Sequence, residues 1–153
     1  MTDQTNLEIE RQFDVAERLW DTLDHKFEIL IGVTITIVGF ILSQASFFDV
    51  FRSHDYPLGV LYALGLLLTM LAGYVSFLGF RVRDFELGVN LDRLVPGDDQ
   101  AGASIHEELR QSTKRNYQRI DVKTELLQRS FACLGLGLLA LVTARLLFAF
   151  LPS

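Results

Sequence analysis

Aspartate, glutamate, lysine, arginine and histidine are absent from residues 29–48 and 56–80, and residues 130–151 hold a single one of them, Arg145. A soluble helical bundle would interrupt such runs with a polar residue every third or fourth position, so this pattern excludes a water-surrounded core. A spanning helix needs roughly 20 apolar residues to cross a ~30 Å hydrocarbon layer, and a charge at its centre costs several kcal/mol. Three transmembrane helices are therefore predicted, with the lipid bilayer as their surroundings. The fold class that follows is all-α, a three-span helical bundle with cytoplasmic helical extensions.

Other shortages narrow the function. The chain has one cysteine, which excludes an intrachain disulfide; Cys133 lies inside the third apolar run and reads as a packing residue. His25, His54 and His106 sit in separate segments without ligand-like spacing, so no metal site is expected. The sequence has no glycine-rich phosphate loop, no His-x-x-x-His pattern, and no serine or cysteine with a nearby base, so neither an enzyme nor a cofactor site is expected. Nine basic residues balance nine acidic ones across residues 81–129, which argues against a nucleic-acid partner. A secretory leader would begin with a short basic stretch; here 28 acid-rich residues precede the first run, which is read as a retained span.

What is present divides the chain into alternating regions. Residues 1–28 are predicted as a cytoplasmic amphipathic helix continuous with the first span, 29–48. Residues 49–55 form an outer loop and 56–80 the second span; 81–129 form a cytoplasmic helical insert and 130–151 the third span. Twelve basic side chains lie in residues 1–28 and 81–129, against Arg52 alone in the 49–55 loop. Because short cytoplasmic segments are enriched in Lys and Arg, the amino terminus is placed on the cytoplasmic side of the cell membrane and the carboxyl terminus outside. Phe47, Phe48, Phe51 and Tyr56, with Phe148 and Phe150, mark the outer boundary; Phe27, Phe77, Phe80 and Phe131 mark the inner one. Lys26 is an interfacial charge. Arg145 lies about six residues, or ~9 Å, below the outer end of its helix, where it can snorkel or meet Asp49 or Asp55.

Each span carries a row of small residues at spacings of three and four, suited to close backbone approach in lipid. These are Gly32, Thr36, Gly39 and Ser43 in the first span; Gly65, Thr69, Ala72, Ser76 and Gly79 in the second; and Cys133, Gly137, Ala140 and Ala144 in the third. Three matching rows predict a tight left-handed bundle, its other faces free for lipid or another subunit.

Outside the spans, Ile9, Phe13, Ala16, Trp20, Leu23, Phe27 and Leu30 form a heptad seam running into the first span, so one helix from near Asn6 to near Ser46 is expected. Beside it lies an acidic row, Glu10, Asp14, Glu17, Asp21, Asp24 and Glu28, whose like charges would destabilise an isolated helix. Ser104 and Glu107 form a capping box that predicts a helix from near Ile105 into the third span. Its apolar face is Ile105, Leu109, Ile120, Leu127 and Phe131, with a basic row of Arg115, Arg119 and Lys123 about a quarter-turn away. Either the two charge rows face each other, or both are solvated with local pairs such as Asp14 to Arg18 and Glu125 to Arg129. Residues 81–95 are read as prolonging the second span, and Pro96-Gly97-Asp98-Asp99 as a turn.

Two segments carry a family resemblance. The approach to the first span, Asp24-His25-Lys26-Phe27-Glu28-Ile29-Leu30-Ile31-Gly32, resembles the Asp-x-Lys motif and apolar run of small prokaryotic membrane effectors, notably the transmembrane effectors of cyclic-pyrimidine-nucleotide antiphage systems. Ile120-Asp121-Val122-Lys123-Thr124-Glu125-Leu126-Leu127, before the third span, is similar to them as well, as is the order of spans with a long cytoplasmic insert. Phe27 stands where a small residue is more usual. The resemblance implies an inner-membrane protein whose cytoplasmic helices receive a protein or nucleotide signal and whose spans perturb the membrane.

Two functions follow as expectations. One is a self-associating structural or membrane-perturbing effector module, a homo-oligomer regulated through its cytoplasmic helices. The other is a homo-oligomeric channel or small-solute pore lined by Thr34, Thr36, Thr69 or Ser76.

Overall fold

A computed structural model of the chain describes residues 2–43, 56–82 and 101–150, all of them helical except Val82. The three helices are α1 (Thr2–Ser43), α2 (Tyr56–Arg81) and α3 (Ala101–Phe150), and no strand occurs among the described residues. Each helix contains a stretch long and apolar enough to cross a membrane. The protein is thus an all-helical, multi-pass membrane protein. The predicted outer loop at 49–55, the boundary phenylalanines Phe47, Phe48 and Phe51, and the turn at Pro96 to Asp99 lie outside the described residues.

One helix boundary, the start of α3, differs from expectation. α2 is described to Arg81, and the predicted prolongation over residues 81–95 lies, beyond Val82, outside the described residues. Arg81 in the last turn suits the negative end of the helix dipole and its unpaired carbonyls. α3 begins at Ala101, which puts Ser104 inside the helix instead of at its cap. Alanine is the strongest helix former, and Ala101 and Ala103 carry the helix back past the capping box.

The chain forms two compact units. Unit 1 takes residues up to His25 and from Val82 to Thr124; unit 2 takes Lys26–Arg81 and residues from Glu125 onward. Among the described residues of unit 1 the buried positions are Ala16, Trp20 and Leu23 of α1, and Ser112, Thr113, Asn116, Ile120 and Lys123 of α3. The heptad seam of α1 is therefore the buried face there.

In unit 2, α2 runs antiparallel to both neighbours. Phe27 of α1 lies over Gly79 and Thr34 over Gly73, while Gly65 meets Gly137 and Leu141 of α3. Two apolar clusters fill the interior: Leu30, Ala72 and Leu134 in one, and Ile41, Tyr62, Leu141 and Ala144 in the other. The remaining faces expose large apolar side chains, among them Ile35, Phe40, Val60, Leu67, Leu139 and Val142. In water this much exposed apolar surface would drive aggregation, whereas in a bilayer it is the lipid-facing surface.

Within unit 2 each helix keeps a heptad register. α1 buries Phe27, Leu30, Thr34 and Ile41; α2 buries Leu58, Tyr62, Gly65, Thr69, Ala72, Ser76 and Gly79; α3 buries Leu127, Ser130, Leu134, Gly137, Leu141 and Ala144. Spacings alternating between three and four keep one seam facing its partners, the condition for left-handed packing.

Candidate functional site

The small-residue rows of α2 and α3 are the contact faces inside the bundle. A Cβ added to Gly137 would lie 2.6 Å from the Thr69 hydroxyl and 2.9 Å from the Gly65 carbonyl; one added to Gly65 would lie 2.8 Å from Leu141 Cγ. No side chain fits at either place, so the two backbones touch. Ala72 and Ala144 are buried, Ala140 and Cys133 half-buried. Gly79 is closed by the Phe27 ring, which occupies the space its Cβ would need.

The row of α1 does not take part. Gly32, Thr36, Gly39 and Ser43 are exposed, and a Cβ at Gly32 or Gly39 would meet nothing within 4 Å. This corrects the expectation that all three rows pack against one another within the chain. The reason is register: the seam through Phe27, Leu30, Thr34 and Ile41 places residues 32, 36, 39 and 43 roughly half a turn away. The large side chains of α1 fill the bundle, and its small ones look outward.

Hydroxyl groups in unit 2 bond mostly within their own helices. Thr34 donates to the Leu30 carbonyl at 2.8 Å, Thr69 to Gly65 at 2.8 Å and Ser76 to Ala72 at 2.9 Å. Between helices, Ser130 of α3 donates to the Ala72 carbonyl of α2 at 2.7 Å, and the Ser76 and Ser130 hydroxyls lie 2.5 Å apart. Thr36, on the outer face, donates to Gly32 at 2.8 Å.

Unit 1 is organised around Lys123. Its ammonium lies 2.5 Å from Asp24 Oδ1 and 3.5 Å from the centroid of the Trp20 ring. The Lys123 side chain is 0% exposed, and that of Asp24 27%. Burial pushes the Lys123 ammonium below its ordinary pKa, opposed by the hydrogen bond and charge of Asp24 and by the charge of Asp21. The lysine was expected on a flanking basic row; it lies instead on the seam of α3, seven residues after the fully buried Asn116. Phe131, expected on the apolar face, is 52% exposed. Thr113, Asn116, Lys123 and Ser130 hold seam positions that a reading by apolar periodicity passes over.

The two charge rows thus meet at Asp24 and Lys123. Asp14, Glu17, Asp21 and Arg115 are exposed and Arg119 is half-buried. Arg129 forms a local exposed pair with Glu125 at 2.5 Å, the alternative also foreseen for these rows. The side chain of Glu10 lies outside the described residues. Lys26 and Arg145 are exposed, each lining a separate apolar hollow. A polar hollow of about 560 Å³ in unit 1 is lined by Glu107, Arg110, Gln111, Thr113, Lys114 and Tyr117 of α3, and by Gln12 of α1. Among the described residues no three His, Cys, Asp or Glu side chains gather as a metal site would require.

Protein-family models, curated proteins and solved structures were all compared with the chain, and none matches it.

Proposed function

We propose that this chain is a self-associating membrane module whose water-facing helices regulate its assembly. The observation that carries this reading is the outward row of α1. Gly32, Thr36 and Gly39 form a shallow, unfilled strip beside Phe40 and Ile35, while the equivalent rows of α2 and α3 are consumed inside the chain. Within lipid, helix association depends on close approach over small residues, and a second copy of α1 would find that surface here. α1 and α3 also contribute to unit 1, so a ligand or protein that moved their register there would act on helices that enter the membrane.

The Lys123 and Asp24 pair supports the regulatory half of the reading. A buried polar group on a heptad seam is best attested as a register-setting device. The hollow beside Arg110 and Lys114, whose two cations outnumber the Glu107 carboxylate, suits an anionic signal, in keeping with the effector resemblance of the two motif segments. In this reading the amino terminus is cytoplasmic and the carboxyl terminus outside. The pore alternative is weakened because Thr34, Thr69 and Ser76 are buried in the bundle and bonded to carbonyls, which leaves Thr36 alone on an outer face.

The test is Gly39→Leu. Sedimentation of the full chain in detergent should show oligomers for the native sequence and a shift towards monomer for the variant. Assembly unchanged by the substitution would overturn the reading.

A further inference from the structure

Two apolar hollows open between α1 and α3, one near each end of the membrane-embedded part. The first, about 450 Å³, has a floor of Ile41, Tyr62 and Leu141, walls that include Phe40 and Val142, and the cation Arg145 in its lining. The second, about 420 Å³, lies among Leu30, Val33, Leu127 and Leu134, with the cation Lys26 in its lining. Both volumes fall in the range of ordinary ligand sites. Among the described residues neither hollow is lined by an acidic side chain.

The spacing of the cations is informative. Ile41 packs in one cluster with Leu141 and Ala144, so it stands level with the Arg145 region of α3. Lys26 and Ile41 are 15 residues apart on α1, about 23 Å along the axis. That is close to the ~30 Å hydrocarbon thickness once two side chains reach outward from it. Each cation therefore stands near one headgroup level, with an apolar slot leading from it towards the midplane. An amphiphile with one negative headgroup and an extended chain matches this arrangement, because guanidinium and ammonium groups bind phosphate by charge-assisted hydrogen bonds.

We infer that the α1 and α3 interface binds two anionic phospholipids, one from each leaflet, with acyl chains in the two slots and phosphates at Arg145 and Lys26. The inference needs membrane embedding and does not depend on self-association. Positive charge at both slots favours a net-negative headgroup over a zwitterionic one, whose ammonium would oppose the site.

The experiment is native mass spectrometry of the full chain in neutral detergent, offered equal amounts of phosphatidylglycerol and phosphatidylcholine. Up to two retained lipids are expected, with phosphatidylglycerol favoured about fivefold at each site. Arg145→Gln and Lys26→Gln should each remove one lipid and together both; Arg145→Lys should keep most of the binding. Val142→Trp, which fills the first slot and leaves the charge in place, should lose one lipid. Equal retention of the two lipids by the native chain would overturn the proposal. So would displacement by glycerol phosphate, which lacks the chain, or a lipid-free dimer in which a second copy covers the slots.

Discussion

Lys123 and Asp24 form an unequal pair: the ammonium is wholly enclosed, whereas the carboxylate keeps about a quarter of its surface in contact with solvent. The two partners should therefore respond differently to removal. Without Asp24, Lys123 would be a buried cation left with the Trp20 ring and the charge of Asp21. Without Lys123, Asp24 can turn to water.

Asp24→Asn is expected to destabilise the protein by about 3 kcal/mol, the usual cost of orphaning a buried charge. Lys123→Met keeps the stem and its contact with Trp20 and should cost far less, or nothing. Thermal unfolding in detergent of both variants and of the double variant checks this. Equal losses from the two single changes would refute the asymmetry.

Alkaline pH should expose the same pair from another side. Because burial lowers the Lys123 pKa in the fold, the unfolded chain binds the extra proton between that lowered value and the ordinary 10.5. In that window stability contributed by this group rises with pH. Below it the desolvation penalty is fully present, and above 10.5 the gain is complete. The midpoint of native protein minus that of Lys123→Met should therefore increase from neutral pH towards 10.5, other titrations cancelling in the difference.

Gly137→Ala and Gly79→Ala should each destabilise by more than 1 kcal/mol, well beyond the small gain in helix propensity from glycine to alanine. The added carbon meets a hydroxyl and a carbonyl at Gly137, and an aromatic ring at Gly79. Gly39→Ala and Gly32→Ala meet nothing, and should leave the thermal midpoint unchanged or slightly raised. Circular dichroism melts of the four variants in one detergent separate the inner row from the outer one.

Ser130→Ala removes a donor to the Ala72 carbonyl and a neighbour of the Ser76 hydroxyl. Hydrogen bonds between membrane helices contribute about 0.6 kcal/mol on average and at most about 1.7. A loss in that range is expected, smaller than that of Asp24→Asn, because Ser76 can still donate to Ala72 within its own helix.

The membrane-spanning architecture was legible from composition because hydrocarbon tolerates so few charges that long uncharged runs have one reading. The small-residue rows of α2 and α3 were legible for a related reason: backbone contact admits only glycine, alanine, serine and threonine. The same logic misplaced Gly32, Gly39 and Ser43, since small residues identify where a helix can be approached but not by which neighbour. Lys123 was hidden more deeply. Periodicity of apolar residues cannot find a lysine on a seam, and its position follows only from Asp24 and Trp20 lying opposite on another helix. The charge rows were visible as rows, yet which members meet depended on the relative register of α1 and α3, a tertiary quantity.

Phe27 and Gly79 interlock as a bulge and a hollow, and neither can be exchanged alone without a clash or a void. Evolution should therefore treat them as one unit. Any descendant of this lineage that trims the ring at 27 would be expected to enlarge the residue at 79, so these sites, 52 positions apart in the chain, should covary as if adjacent.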